Sequence, residues 1–290
     1  MAEDGLIWQS KLVLLAVLPF AGTDVALTCG WWTSNDAPVA LWTVGLSALL
    51  GLVTWKLRAA TPFAALAGAL IAASLMFSTA VVPYRPWHTA LVPAATVALL
   101  AYVATRIGRR KKERLGTGEH SRGRSASQIA ANLGMAALVA SSPVQSWLTD
   151  SPSLTLHALA PGLLFAPALA ALAEAAADTV SSEIGQVIGG RPRMITTLRV
   201  VEAGRDGAIS WAGSLAGLVA AAVIAGSGAW ALGGGSKMFE VGCAGAVSGL
   251  FFDSLLGATL EERGWLNNDA VNFLSTASAA GCALAILRII

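Results

Sequence analysis

The sequence predicts an all-α protein that crosses a membrane several times, and three observations carry this prediction. Of the 290 residues, 55% are hydrophobic and 12% are charged, whereas a soluble domain has roughly 25% charged residues. The mean hydropathy is +0.65, and a water-soluble globule of this size cannot hide so much apolar surface. The apolar runs are long and unbroken, which excludes disorder and the short alternating segments of a transmembrane barrel.

Nine apolar segments follow one another along the chain, and we predict that each is a membrane-spanning helix. They occupy residues 11–28, 38–55, 59–81, 87–106, 126–142, 154–177, 208–231, 238–260 and 270–290. We expect one integral membrane domain, 1–290, with three parts. These are an N-terminal four-helix part (1–106), a basic loop (107–125) and a five-helix part (126–290).

The lysines and arginines predict how the chain is oriented. If the N-terminus is cytoplasmic and the nine spans alternate, 16 of the 19 basic residues fall on the inner side. Because cytoplasmic loops carry the excess of positive charge, we predict a multi-pass protein of the cell (inner) membrane with its C-terminus outside. The densest basic run, RIGRRKKERLGTGEHSRGR (106–124), is then a cytoplasmic loop held near anionic lipids.

Several common functions are excluded by what the sequence lacks. The net charge of +2 gives no global field for nucleic acid. The three cysteines and three histidines are scattered without a CxxC pair, so neither a disulfide framework nor a histidine metal site is expected. The chain contains no phosphate-binding GxxxxGK[ST] loop and no protein-kinase HRD or DFG motif.

Ionisable side chains inside membrane spans are costly and mark functional sites by default, and in this sequence they cluster. The sixth segment runs into EAAADTVSSEIGQ (174–186). Glu174 and Asp178 lie four residues apart and share one helix face. Glu183 follows, and we expect Gly185 to end the helix.

The eighth and ninth segments carry polar groups of the same kind. Asp253 interrupts the apolar run VSGLFFDSLLGATL, in a stripe with Gly245, Gly249 and Gly257 that lets a neighbouring helix approach closely. The ninth segment begins NNDAVNFLST (267–276). Its polar residues are Asn268, Asp269, Asn272 and Thr276, and the fifth segment adds Gln128 and Asn132.

The predicted topology brings these groups to the cytoplasmic ends of their helices. The loop GRPRMITTLRVVEAGRDGAIS (190–210) lies at the same level. Carboxylate oxygens suit Mg²⁺, which fills its remaining positions with water and phosphate oxygens. Arginine forks match phosphate geometry. The combination at a membrane face favours phosphoryl or nucleotidyl transfer involving a lipid.

Three blocks of this sequence resemble a known membrane family. They are AADTVSSEIGQ, RPRMITTLRVVEAGRDGAISWAGSLAG and FFDSLLGATLEERGWLNNDAVNFLST, and QIAANLG (128–134) is a looser fourth. Their order and spacing, over about residues 120–280, resemble the integral membrane family that includes transmembrane protein 19 and the phytyl-phosphate kinase of plants and cyanobacteria. Val180 and Ser181 stand where that family has a bulky aromatic and an alanine, which bears on the lipid contact more than on the metal chemistry.

The resemblance implies a kinase that adds a second phosphate to an isoprenoid monophosphate, with CTP or a related nucleoside triphosphate as donor. We expect Mg²⁺ and the catalytic role at Asp178, Glu183, Asp253 and Asp269. We expect phosphate or nucleotide binding at Arg191, Arg193, Thr196, Thr197, Arg199, Asp206, Asn268, Asn272 and Asn132. The expected partners are an isoprenoid lipid phosphate, a nucleotide and membrane lipids, and the oligomeric state is left open.

Two other functions fit the same residues. A prenol kinase would phosphorylate the alcohol instead, with a carboxylate as general base. A secondary transporter of an anionic or lipidic solute would use the carboxylates for ion coupling, and internal inverted repeats would favour it. We find no convincing repeat in this chain. A purely structural role accounts for the helices but not for the clustered ionisable groups.

Overall fold

The computed structural model describes residues 6–115, 123–150 and 159–290. Its helices are α1 (Ile7–Asn35), α2 (Ala37–Lys56), α3 (Pro62–Ser78), α4 (Leu91–Arg106), α5 (Arg109–Leu115), α6 (Ala126–Ala140), α7 (Ser142–Asp150), α8 (Ala166–Ile188), α9 (Trp211–Ala231), α10 (Gly235–Leu256) and α11 (Asn268–Leu287). Short 3₁₀ turns occupy Pro86–His88 and Pro161–Phe165, and a π-helical turn, Gly257–Glu261, follows α10. Two short strands, β1 (Arg193–Met194) and β2 (Ala208–Ile209), pair antiparallel.

The all-α membrane architecture predicted from hydropathy is confirmed. Within the described ranges, six helices are long and apolar enough to cross a membrane, namely α1, α2, α9, α11 and the helical stretches 162–188 and 235–261. The shorter apolar helices are α3, α4 and α6. These nine helices correspond to the nine predicted segments, but length and composition qualify six of them, so the count of nine spans stays a prediction.

Most predicted boundaries hold, and the differences have local causes. Seven of the nine segments match a helix to within four residues at both ends, whereas α1 is considerably longer than its segment. The predicted loop 107–125 contains α5, and α7 follows α6 as a separate helix. Residues 116–122 of that loop and residues 154–158 of the sixth segment lie outside the described ranges.

The end of α8 was predicted wrongly. The helix continues past Gly185 to Ile188, and its last N–H bond runs from Gly189 to the carbonyl of Gly185. Gly185 serves close packing instead of termination, because a Cβ there would lie 3.1 Å from Ser210 Oγ and 3.6 Å from the Cα of Gly213. This extension of less than one turn places Gln186 within the helix, beyond its expected end.

Helix α8 is the centre of the molecule. It packs against α4, α6, α9, α10 and α11, and most of its apolar residues are buried. The alanines of EAAAD and the glycines of α10 let these backbones approach closely, as the small-residue stripe predicts. A Cβ at Gly245 would lie 2.6 Å from the carbonyl oxygen of Ala279 in α11.

Gly249→Val is expected to destabilise the protein through this packing. Its Cβ would lie 2.6 Å from Glu174 Cγ and 2.8 Å from the carbonyl oxygen of Ser275. Overpacking of this kind costs about 1–3 kcal/mol, so the detergent-solubilised variant should melt at a lower temperature by tryptophan fluorescence. Gly281→Val in α11 is the matched control, since a Cβ there meets nothing within 4 Å. Equal melting temperatures for the two variants would contradict this account of the packing.

Side-chain contacts show which helix ends lie together. At one end, Gln9 of α1 donates to the carbonyl of Trp265 at 2.9 Å. At the same end, Arg124 N–H bonds to the carbonyl of Ala59 at 3.0 Å, and Thr105 of α4 donates to Glu183 of α8 at 3.1 Å. We call this the basic end, because Arg58, Arg106 and the arginines of the 190–210 loop lie there.

Different contacts join the opposite ends of the same helices. Thr43 and Tyr84 share a hydrogen bond of 2.8 Å, and His88 lies 3.2 Å from the carbonyl oxygen of Ala231. The apolar helices therefore alternate in direction along the chain. Alternation places the C-terminal ends of α8 and α10 beside the N-terminal ends of α9 and α11.

Candidate functional site

A cavity of about 220 Å³ opens at the basic end, where α8 and α10 end and α9 and α11 begin. Its walls are the last turns of α8, the 203–210 segment, the junction of α10 with its π turn, and the start of α11. The polar residues that line it are Asp178, Ser181, Ser182, Gln186, Arg205, Asp206, Ser210, Asp253, Ser254, Glu261 and Asn268. We call it the acidic cavity.

The acidic cavity is lined by more acidic than basic side chains. Four carboxyl groups line it, those of Asp178, Asp206, Asp253 and Glu261. Among the described lining residues, Arg205 is the single basic side chain, and it is already ion-paired with Glu262. A phosphate entering this space on its own would meet more carboxylates than cations, so the cavity favours a cation or a cation–phosphate complex.

The carboxylates of α8 and α10 lie close enough to repel each other. Asp253 lies among three other acidic side chains, those of Asp178, Glu174 and Glu261. Asp253 Oδ2 and Glu174 Oε1 are buried and have no hydrogen-bond partner among the described residues. Buried charged oxygens are costly unless a cation or a proton neutralises them.

Glu261 reaches the acidic cavity because the helix changes its winding after α10. Glu261 follows Asp253 by eight residues, and a regular α-helix would turn it about 80° away, at 3.6 residues per turn. The π turn instead forms i→i+5 bonds, such as Glu262 N–H to the carbonyl of Gly257 at 3.0 Å. Each residue then advances by a smaller angle, which brings Glu261 round toward Asp253. The sequence analysis missed Glu261. The acidic pair that opens EERG, directly after an apolar helix, could have indicated it.

Asp206 enters the acidic cavity because two backbones touch. Gly207 has φ +73°, and a Cβ there would lie 2.3 Å from the backbone nitrogen of Ala258. Gly257 faces Gly207 in the same way, since its Cβ would lie 2.8 Å from the nitrogen of Gly207. Two glycines therefore allow the 203–210 segment to lie directly on the π turn. Their contact holds Asp206 at the wall of the cavity.

Apart from Arg205, the arginines of the 190–210 loop lie outside the acidic cavity. Arg193 begins β1 and donates to the carbonyl of Leu198 at 2.7 Å. The predicted phosphate-binding residues of this turn are all exposed and do not line the cavity, namely Arg191, Arg193, Thr196, Thr197 and Arg199. Phosphate binding by these side chains stays a prediction.

The remaining predicted residues lie elsewhere. Asp269 and Asn272 are buried in α11 without lining the acidic cavity. Asn132 of α6 donates to the carbonyl of Gln128 at 2.9 Å and lines a second cavity. The structure therefore brings together Asp178, Asp206, Asp253 and Asn268 of the predicted set.

The N-termini of α9 and α11 lie at this end, and helix N-termini are common phosphate sites, but both are capped by the side chain of the N-cap residue. Ser210 Oγ accepts from Gly213 N–H at 3.1 Å, and Asn267 Oδ1 accepts from Ala270 N–H at 2.9 Å. Each cap therefore takes up one of the N–H groups that a phosphate would bind.

Glu183 is held by α4 and α5 instead of facing the acidic cavity. Its carboxylate accepts from Thr105 and pairs with Lys112, whose side chain is 3% exposed. Lys112 Nζ also donates to the carbonyls of Ala104 and Thr105 at 3.0 and 2.9 Å. The pair fastens α5 to the basic end of the bundle. Glu183 thus acts in this structure as the partner of a buried ammonium.

Lys112→Met is expected to destabilise the fold, because it leaves Glu183 without its cation. Breaking a buried pair in this way costs about 3–5 kcal/mol, measured as a lower melting temperature in detergent. The double variant Lys112→Met/Glu183→Leu should recover most of that loss. Arg110→Met, at an exposed neighbour, is the matched control. If the single variant melts like the control, the pair does not hold α5.

The acidic cavity fits a divalent cation that takes only one or two of its ligands from the protein. Among the described residues, no three His, Cys, Asp or Glu side chains are grouped to hold a metal ion on their own. Mg²⁺ usually takes one or two protein carboxylates and keeps waters and substrate phosphates as its other ligands. Asp178 and Asp253, with the unpartnered Oδ2 of Asp253, meet that requirement.

The fold and the cavity define the class of this protein. It is a polytopic helical membrane protein with a carboxylate-lined cavity at one end of its spans. A model of the integral membrane protein family DUF92 matches residues 45–280, and the chain belongs to that family. The match confirms the resemblance recognised in the three sequence blocks.

Similar proteins occur in an archaeon, a cyanobacterium and a plant. The chain is 44% identical to an uncharacterised membrane protein of Methanocaldococcus jannaschii, over 37% of this chain and 45% of that protein. It is 30% identical to an uncharacterised membrane protein of Synechocystis, over 63% and 67% of the two chains. It is 38% identical to the chloroplastic protein VTE6 of Arabidopsis thaliana, over 34% and 30%. The matches thus span under half of the archaeal and plant proteins. No solved structure matches this chain.

Proposed function

We propose that this protein is a membrane-embedded kinase that transfers a phosphoryl group from a nucleoside triphosphate, CTP or a close relative, to an isoprenoid monophosphate. The observation that carries the proposal is the acidic cavity, where Asp178 and Asp253 come together from two spanning helices. The family resemblance, with its phytyl-phosphate kinase, supports the same reaction.

The charge of the acidic cavity supports a metal–nucleotide complex as the donor. A triphosphate is strongly anionic and is repelled by four carboxylates unless a divalent cation accompanies it. A Mg²⁺ ion held there would supply positive charge that offsets the charge developing on the phosphates during transfer. Asp178 and Asp253 are the residues that would hold it. Asn268, at the first turn of α11, is placed to donate to a phosphate oxygen.

The chemistry of the acceptor matches what the protein offers. A phosphate monoester has a second pKa near 6, so its oxygen is already ionised at neutral pH and needs no general base. The protein must instead offset the repulsion between two phosphates, and cations do that. An alcohol would need a base, which is the chemical difference between the proposed reaction and a prenol kinase.

We also propose that the basic end faces the cytoplasm. Positively charged loops are retained on the cytoplasmic side, and the acidic cavity opens at the end where these loops lie. Nucleoside triphosphates are available on that side. Cysteine labelling from outside the cell would contradict this orientation if a cysteine introduced at Arg263 were accessible.

A substrate screen tests the function directly. Purified full-length protein in nanodiscs is incubated with prenyl monophosphates, or with the matching alcohols, and each of the four nucleoside triphosphates, and products are read by mass spectrometry. We expect diphosphate from monophosphate and no product from alcohol. Product from alcohol alone would identify a prenol kinase. No product in any combination, with solute flux into liposomes independent of nucleotide, would identify a transporter.

A further inference from the structure

A second cavity, of about 360 Å³, lies among α2, α3, α4 and α6. Its inner wall is apolar and built from small and aliphatic side chains, including Gly68, Ile71, Leu75, Val97 and Leu133. Its volume is within the range of about 300–1,000 Å³ that is typical of small-molecule sites. None of the residues that line the acidic cavity lines this one. We call it the apolar cavity.

The mouth of the apolar cavity is cationic. Five basic residues line it, and Glu113 is the single acidic residue among the described lining residues. The basic residues are Arg58, Arg106, Arg109, Lys112 and Arg124. They lie at the basic end of the apolar helices. An apolar interior below a ring of cations is complementary to an amphiphile with an anionic head.

Arg58 differs from the other cations of the mouth. Arg106 donates to the carbonyl of Leu57 at 3.0 Å, Arg109 pairs with Glu113 at 2.8 Å, and Lys112 pairs with Glu183. The backbone of Arg58 has a left-handed φ of 55°. Its guanidinium makes no hydrogen bond or ion pair within the described ranges. Its donors are therefore available to a ligand at this mouth.

Arg124 connects the two cavities. It lines the apolar cavity, and its Nη2 donates to Thr179 Oγ1 at 3.4 Å. Its charge acts on Asp178, which lines the acidic cavity and precedes Thr179 on α8. A phosphate at the mouth of the apolar cavity would thus lie next to the helix segment that carries Asp178.

We propose that the apolar cavity binds the acceptor, a phosphate monoester with a single hydrocarbon chain. The chain lies among α2, α3, α4 and α6, and the phosphate lies at Arg58 and Arg124. The apolar walls exclude a free nucleotide, and the cationic mouth disfavours an uncharged lipid. This inference rests on the proposed function for the identity of the acceptor, but it concerns binding, which is measured without nucleotide.

The test is equilibrium binding of tritiated geranylgeranyl monophosphate to the full-length protein in detergent, with no nucleotide present. Gly68→Leu fills the apolar cavity, and its Cβ has room, 3.7 Å from Ile129 Cγ2. Gly45→Leu on α2 is the control, because it does not line the cavity and its Cβ meets nothing within 4 Å. We expect about tenfold weaker binding for Gly68→Leu and no change for Gly45→Leu. Equal affinities would overturn the proposal.

The charged mouth is tested with a second pair of variants. Arg58→Gln should weaken binding of the monophosphate about fivefold or more and leave binding of tritiated geranylgeraniol unchanged. Arg110→Gln, at an exposed arginine that lines neither cavity, should leave both unchanged. A loss for both lipids, or for neither, would show that Arg58 does not recognise the phosphate.

Binding and turnover separate this inference from the proposed function. Specific binding that Gly68→Leu removes, without phosphoryl transfer by the wild type, keeps the cavity assignment and rejects the kinase. Phosphoryl transfer that Gly68→Leu leaves intact keeps the kinase and rejects the cavity as the acceptor site. Competition by bilayer phospholipid as strong as by the monophosphate would assign the cavity to a structural lipid and reject it as well.

Discussion

Asp253→Asn is expected to lower the rate of phosphoryl transfer by about a hundredfold or more, with little change in the fold. The substitution keeps the size of the side chain and removes one charge beside Asp178 and Glu261. Loss of one preorganised electrostatic contact to a transition state costs about a hundredfold to a thousandfold. The measurement is the initial rate of diphosphate formation by purified full-length protein at saturating nucleotide.

Glu240→Gln is the matched control for Asp253→Asn. Glu240 is an exposed carboxylate on the same helix, α10, near its opposite end. We expect the control to retain the wild-type rate. Asp253→Asn with an unchanged rate would remove Asp253 from the catalytic site and, with it, the central role of the acidic cavity.

Melting temperatures distinguish a functional carboxylate from a structural one. Because Asp253 Oδ2 has no hydrogen-bond partner among the described residues, and because its neighbours are acidic, Asp253→Asn should melt at the wild-type temperature or higher when divalent cations are chelated. A structural carboxylate behaves in the opposite way, since its loss leaves donors unpaired and lowers stability. A large drop in melting temperature would support the structural role.

Removal of divalent cations is expected to abolish phosphoryl transfer, and added Mg²⁺ should restore it. The physical reason is the excess of carboxylates in the acidic cavity, which repels a metal-free triphosphate. Activity is measured before and after chelation and again with Mg²⁺ in excess of the chelator. Turnover that persists in the chelator would contradict the metal requirement.

A readout without nucleotide tests the same metal site. A cation that binds the folded state raises the melting temperature by mass action, so Mg²⁺ should stabilise the wild type in a concentration-dependent way. The shift should be lost in Asp178→Asn and Asp253→Asn and retained in Glu240→Gln. An equal shift in all four proteins would place the Mg²⁺ outside the acidic cavity.

Much of the candidate site followed from hydropathy and topology. Asp178 lies in the C-terminal half of one spanning helix and Asp253 near the C-terminal end of another, two helices further along the chain. Helices that alternate in direction place such ends at one face, so the sequence predicted that these carboxylates share a level. This prediction did not say which carboxylates share a cavity. The position of a residue along the bundle does not determine the direction in which its side chain points.

That direction depends on local packing and winding. Glu183 follows Asp178 by five residues, which turns it about 140° round α8 at 3.6 residues per turn, and there it meets Lys112 and Thr105. Glu261 joins the cavity through a π turn, and helical periodicity assumes uniform winding. Arg193 and its neighbours lie in an exposed turn that does not line the cavity, although β1 pairs with the cavity-lining β2.

By itself, the sequence determined the membrane class, the order of the apolar helices and the end of the bundle at which ionisable groups gather. Hydropathy and charge balance are sums over long stretches of chain, so they change little when a helix boundary is misplaced by a few residues. The tertiary structure alone decided which carboxylates meet, because that depends on helix rotation and on contacts between residues far apart in sequence. It also revealed the apolar cavity with its cationic mouth, whose walls come from four helices that no single segment of sequence describes.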